Sequence, residues 1–154
     1  MIGDMDMNIE KADKAKAFFK QGYTCSQSVV LAWSNELTLD IDTALRIAHP
    51  FGGGMGRLRE VCGACSGAFM VLGLKYGSTD PKDAASKKKL YELVQAFAKR
   101  YKEENGRGSI VCRELLGLKG ESTPTPSART DEYYKKRPCV ELIGLAAGLL
   151  DEFM

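Results

Sequence analysis

Histidine is nearly absent from this sequence: His49 stands alone among 154 residues. No Ser/His/Asp set can be assembled, and metal sites rich in nitrogen ligands are excluded. The glycine-rich stretch at 52–56 has neither the GxxxxGK[ST] of a phosphate loop nor the preceding strand that a dinucleotide fingerprint requires. No C-x-x-C-H is present for covalent haem. There is accordingly no haem, nucleotide or flavin signature. Long hydrophobic runs are missing too: residues 61–74 and 140–150 fall short of the ~20 needed to span a bilayer, and the second contains Glu141. Residues 1–10 are acidic and polar, without the basic start and apolar stretch of a signal peptide. Charge of one sign is not in excess either. With 22 basic against 20 acidic side chains, net +2, there is no electrostatic case for nucleic acid or an anionic membrane. These absences lead to the expectation of a cytoplasmic chain with no nucleic-acid partner and no membrane insertion.

Strand-like alternation is also missing, and apolar residues recur at helical spacing almost throughout. The chain is expected to be all-α: a compact single domain over 1–154, a bundle of six or seven helices with a central buried apolar helix. Asn8 can cap a first helix carrying Ile9, Ala12, Ala15, Phe18 and Phe19, which ends near Gly22. Thr24 and Gln27 have the spacing of a capping box at the head of a second, over 25–37. A third spans about 41–48 and must stop before Pro50. After the loop 51–59, the charge-free stretch 61–74 reads as a helix buried on all sides. Asp80-Pro81 opens the clearest amphipathic pattern, in which Leu90, Leu93, Val94, Phe97, Ala98 and Tyr101 form one stripe ended by Gly106. A short helix after Ser109, a Ser/Thr/Pro-rich loop at 119–129 and a last helix from Pro138 to about Glu152 complete the expectation.

What the chain has in place of histidine is cysteine: Cys25, Cys62, Cys65, Cys112 and Cys139. A reducing cytosol keeps structural disulfides rare, so cysteines there are catalytic, redox-sensing, metal-binding or merely buried. On the expected helices, Cys25, Cys62, Cys112 and Cys139 each fall in or near a first turn, where the helix dipole and free N–H groups favour negative charge. A thiol so placed can drop below its usual pKa of ~8.5, and the thiolate is the form that attacks, oxidises or binds metal. Four thiol-bearing helix starts are therefore expected to converge on one site. Cys62-Gly63-Ala64-Cys65 is also a C-x-x-C whose i, i+3 spacing puts both sulfurs on one face. No strand pattern of the thioredoxin type precedes it, and no second CxxC completes a zinc ribbon.

Other features have a functional and a plainer reading. Gly53, Gly54 and Arg57 of FGGGMGR could present N–H groups and positive charge to an anion or cofactor; the plainer reading is a tight turn packed on the buried helix. Gly63/Gly67 and Gly144/Gly148 are small pairs that would let two buried helices pack closely. His49 reads as a helix C-terminal residue. The basic clusters 87–89 and 135–137 read as solvated faces, with docking of an acidic electron-transfer partner as the alternative.

Cys25, FGGGMGR at 51–57, Cys62-Gly63-Ala64-x-x-Gly67 with LGLKYG at 72–77, Cys112-Arg113-Glu114-Leu115-Leu116-Gly117 and Pro138-Cys139 together resemble the C_GCAxxG_C_C family of redox-active proteins. The resemblance covers nearly the whole chain. It implies Cys25, Cys62, Cys112 and Cys139 as the functional cysteines, with Cys65 at a variable position of the motif. A similar motif looks like part of certain multi-centre cytochromes that carry an iron–sulfur site.

Three readings of the cysteines stay open. Cys25, Cys62, Cys112 and Cys139 ligate an iron–sulfur cluster or another soft metal. Alternatively they are a metal-free thiol–disulfide relay or redox sensor, with Cys65 adjacent. Or they are small buried hydrophobes in an interaction protein. A redox partner of unspecified identity is expected, and a homodimer is left open.

Overall fold

The side-chain caps that the sequence offers are used. Asn8 accepts the Lys11 N–H at 3.1 Å, and Thr24 and Gln27 form both halves of the capping box. Asp40 accepts the Thr43 N–H at 3.0 Å. Asp83 accepts the Ser86 N–H at 3.0 Å, and Thr130 that of Tyr133 at 3.2 Å. Each satisfies a first-turn donor that the helix itself leaves free. In a computed structural model describing residues 7–154 there are eight α-helices and no strand, and these caps open five of the helices. They are α1 (Ile9–Lys20), α2 (Cys25–Ala32), α3 (Ile41–Ala48), α4 (Gly63–Tyr76), α5 (Ala84–Glu104), α6 (Cys112–Leu116), α7 (Asp131–Lys136) and α8 (Cys139–Leu149). The reading of residues 1–10 as acidic and polar, without a signal-peptide pattern, falls largely outside the described residues. Among those residues, no helix is long and apolar enough to cross a membrane.

The all-α expectation holds, with four local corrections. The second helix stops at Ala32 rather than 37: Trp33 leaves helical geometry, and its indole N–H reaches the Ala147 carbonyl at 2.9 Å, tying the turn to α8. The long amphipathic helix starts after Asp83, because the Asp80 carboxylate accepts the Lys82 N–H and turns the chain first. The last helix begins at Cys139 with Pro138 as its cap residue, and it gives way at Leu150 to a 3₁₀ turn (Leu150–Phe153). The eighth helix, α7, is an addition; its cap, Thr130, sits at the end of a stretch whose Ser/Thr/Pro content masks it.

The two most apolar helices, α4 and α8, form the centre. α8 packs against α1, α2, α4 and α5, while α4 packs against α2, α5 and α8. Phe97 and Tyr101 of the α5 stripe are fully buried beside α4, their rings stacked 6.0 Å apart. Removing a ring so enclosed costs about 3–5 kcal/mol. The glycine pairs do not face each other, contrary to expectation. A Cβ on Gly67 would sit 2.7 Å from the Ser26 carbonyl oxygen of α2, and one on Gly144 would strike the Lys16 side chain of α1. Each pair admits a different neighbour, so α2 is drawn onto the head of α4 and α1 onto α8.

Candidate functional site

That close approach of α2 to α4 puts two helix starts side by side. Cys25 is the first residue of α2, and a Cβ on Gly63 would come within 2.9 Å of its Cβ. Cys62 is the residue that caps α4, Cys112 opens α6 and Cys139 opens α8. Cys25, Cys62, Cys112 and Cys139 all line one cavity of about 240 Å³. Cys65 does not. It lies a turn further into α4, fully buried in the core. The CxxC therefore divides: one sulfur faces the cavity and the other the core.

Cys62 and Cys112 are brought together by the backbone on either side. Val61 and Val111 form an isolated antiparallel bridge, the Cys62 N–H donates to Ile110 O at 2.8 Å, and the Cys112 N–H donates to Glu60 O at 2.5 Å. The glycine loop forms the next wall. Gly53, Gly54 and Arg57 line the cavity, and a Cβ on Gly54 would fall 2.6 Å from that of Cys112. Gly54 is therefore required by close packing, since only a residue without a side chain lets the loop lie against that thiol. The loop carries strain as well. Met55, Arg57 and Arg59 hold φ of 67°, 69° and 63°, a left-handed conformation costing roughly 1–2 kcal/mol for each residue with a side chain. Hydrogen bonds from the Arg59 N–H to Gly53 O and from the Glu60 N–H to Gly54 O fix it there.

The thiols are not alike. Hydrogen bonding from Cys25 pulls Cys139 down to about 7 against the burial of its sulfur, aided by the charges of Arg137, Arg129 and Arg59. Its partner Cys25 moves the other way, pushed well up by that hydrogen bond and then by burial. Of the two, Cys139 is the more acidic. Burial lifts Cys62 to about 11, partly offset by the Tyr101 hydroxyl at 3.7 Å. Burial raises Cys65. It also raises Cys112, against the opposing pull of the Arg59 guanidinium 3.6 Å from its sulfur. A helix start can lower a thiol, and of the four that line the cavity only Cys139 is lowered. Desolvation outweighs the dipole except where a hydrogen-bond donor and several cations converge.

Of the cations at the cavity, the sequence pointed only to Arg57. Arg57, Arg59, Arg129 and Arg137 all line the cavity, and the lining includes no Asp or Glu. Arg137 was expected on a solvated face; it is instead half-buried, 5.4 Å above the Tyr133 ring. Arg129 packs over Phe19 and donates to the Phe19 and Tyr23 carbonyls at 2.9 and 3.2 Å. Arg57 Nε holds Thr123 O at 2.6 Å, and Arg59 Nε holds Ser122 Oγ at 2.9 Å. These bonds strap the Ser/Thr/Pro loop across the cavity, where Pro124, Pro126 and Ser127 complete the wall. His49, which follows α3, lines the rim as an exposed residue. Among the described residues, no group of three or more His, Cys, Asp and Glu side chains is spaced to hold one metal ion.

An all-α chain that gathers four separated thiols around one basic cavity is built for sulfur chemistry. The comparison with protein families agrees: the family model C_GCAxxG_C_C, described as "Putative redox-active protein", matches residues 23–153, and the chain belongs to that family. No curated protein and no solved structure matches this chain.

Proposed function

We propose that the protein performs thiol–disulfide exchange, with Cys139 as the attacking thiolate and Cys25 as the resolving thiol. The observation that carries this reading is that Cys25 and Cys139 open two helices onto one cavity, with Arg129 and Arg137 in the same lining. A thiolate is the nucleophile in exchange, and a pKa near ambient pH gives the best compromise between thiolate fraction and nucleophilicity. The Cys139 thiolate attacks one sulfur of a disulfide, forming a mixed disulfide and expelling the other half as a thiolate. Cys25 passes its proton to that leaving thiolate and attacks the Cys139 sulfur, breaking the mixed disulfide and expelling the second half as a thiolate. The protein is left with a Cys25–Cys139 disulfide, the substrate with two reduced sulfurs, and two electrons have moved. Arg137, Arg129 and Arg59 stabilise the starting thiolate.

The test is to react the reduced protein with a small disulfide and map the product by mass spectrometry without reduction. A Cys25–Cys139 bridge is expected, with Cys25→Ser trapped as the mixed disulfide on Cys139. A product linked elsewhere, or none, ends this reading.

A second reading is supported by the two cavity thiols that exchange leaves unused. Cys25, Cys62, Cys112 and Cys139 would hold an iron–sulfur cluster, which supplies one-electron transfer when bound. Four thiols on one cavity suit that donor set, and the guanidinium groups would balance its negative charge; the spacing is against a single ion. Anaerobic purification with iron analysis and absorption spectra separates the two: stoichiometric iron lost in Cys62→Ser favours the cluster.

A further inference from the structure

Exchange chemistry alone does not explain why so much positive charge is kept beside the thiols. Four guanidinium groups line a cavity that includes no carboxylate, and among the described residues none of the four makes an ion pair. One thiolate is a single negative charge against four positive ones. Burial and the neighbouring charges of Arg59 and Arg137 already push Arg57 down from its usual value, so the cluster repels itself. Structure alone does not need all four. Arg129 and Arg59 are committed to carbonyl, hydroxyl and sulfur partners. Arg57 uses its Nε on Thr123 O and has only a long 3.5 Å contact from Nη1 to Ser127. The Arg137 guanidinium makes no hydrogen bond and rests only on the face of Tyr133, while its backbone N–H holds the Tyr133 carbonyl. Two half-buried guanidinium groups thus line the cavity with N–H donors to spare, in the same lining as Cys139.

Such forks match planar or tetrahedral oxyanions, which they bind through two parallel N–H bonds. The lining also has an apolar part, including Pro124, Pro126, Leu116 and Ile143. At about 240 Å³ the cavity admits a small molecule and not a folded protein surface.

We propose that the substrate is a small disulfide bearing anionic groups, carboxylate or phosphate, held by Arg57 and Arg137 with its sulfur presented to Cys139. This rests on the exchange reading above and adds the substrate's charge class. Bound in this way, the substrate supplies the negative charge that the cavity lacks, and its oxyanion fixes which of its atoms meets the thiolate.

The test uses three aliphatic disulfides of similar size and different charge: dithiodiglycolate (anionic), 2-hydroxyethyl disulfide (neutral) and cystamine (cationic). Each rate of oxidation of the reduced protein is divided by the rate for free 2-mercaptoethanol under the same conditions. The normalised rate for the anion is expected to exceed that for the neutral compound by about tenfold or more, with the cation slowest. Arg137→Gln and, separately, Arg57→Gln should each cut the anion-to-neutral ratio several-fold, and Arg137→Lys should restore part of it. The ratio is the readout because either substitution also alters Cys139 itself. Slowing of the anionic reaction by phosphate, or by acetate, at constant ionic strength supports the proposal and tells which oxyanion the forks prefer. Equal normalised rates for the three disulfides, or ratios unmoved in both glutamine variants, overturn the proposal while leaving exchange standing. If none of the three forms a Cys25–Cys139 bridge, exchange itself fails and the proposal falls with it.

Discussion

Two apolar helices begin beside the same cavity with a cysteine at the start, yet their sulfurs sit in opposite electrostatic settings. At the head of α8, Cys139 meets a thiol donor and three guanidinium groups and is drawn down to about 7. At the head of α4, Cys62 and Cys65 meet a tyrosine hydroxyl and the packed core, and burial drives both upward. The helix N-terminus is common to the two regions, so it cannot be what separates them. The difference lies in what other segments bring: Arg59 from the strained loop, Arg129 from the end of the Ser/Thr/Pro strap, Arg137 and Cys25 from two further elements. A reactive thiol in this fold is made by tertiary assembly on top of a helix start.

The largest effect should come from breaking the α8 side. Cys139→Ser is expected to slow reaction of the native protein with small disulfides and with iodoacetamide by at least ~100-fold, measured by stopped-flow or timed alkylation. If Cys62→Ser does that instead, the two helix heads have been ranked the wrong way round.

Gly54→Ala tests whether the loop and Cys112 must touch. The new methyl would occupy a left-handed backbone, φ 69°, and lie 2.6 Å from the Cys112 Cβ. A loss of about 2–4 kcal/mol in urea unfolding is expected, with slower exchange chemistry because the arginine-bearing loop is displaced. Unchanged stability would mean that the loop yields freely.

Cys65→Ser sharpens the contrast from the core side. A hydroxyl replaces a fully buried sulfur, at a cost of about 1–3 kcal/mol by chemical denaturation. The rate at Cys139 should stay within about twofold of the parent. A large loss of rate there would return Cys65 to the reactive set.

The contrast between the helix heads also shows what a linear reading can reach. Cap spacing, helical period and the absence of strand alternation are local, and they were enough for the all-α class and for the placement of Cys25, Cys62, Cys112 and Cys139 in first turns. The short α7 was hidden because Thr130 ends a stretch rich in loop-forming residues. The four arginines were invisible as a group, since 57, 59, 129 and 137 are joined only when the strap folds back over the glycine loop. The basic run at 135–137 shows the difficulty well. Lys135 and Lys136 are exposed as their charge suggests, while Arg137, the next residue, turns into the cavity ahead of Pro138. The glycine pairs failed for a related reason: small residues announce a close approach but not the identity of the neighbour.

The most gradual effect is with pH, and its sign separates the two helix heads. The folded value for Cys139, about 7, lies below its ordinary 9.0, so the native state gives up this proton before the unfolded chain does. That contribution to stability is fully present above 9 and is lost as pH falls through 7. The thiols pushed upward behave in the reverse sense: what Cys62 and Cys65 contribute is fully present below 9.0 and is lost as pH rises through their folded values. The unfolding free energy of the parent, minus that of Cys139→Ser, should therefore rise between pH 7 and 9 by on the order of 2 kcal/mol, at no more than about 1.4 kcal/mol per pH unit. The corresponding difference for Cys65→Ser should stay flat over that window and fall only above it. Urea unfolding at four or five pH values measures both. A flat difference for Cys139 would mean that its sulfur titrates alike in the folded and unfolded chain, and the contrast between the two helix heads would dissolve.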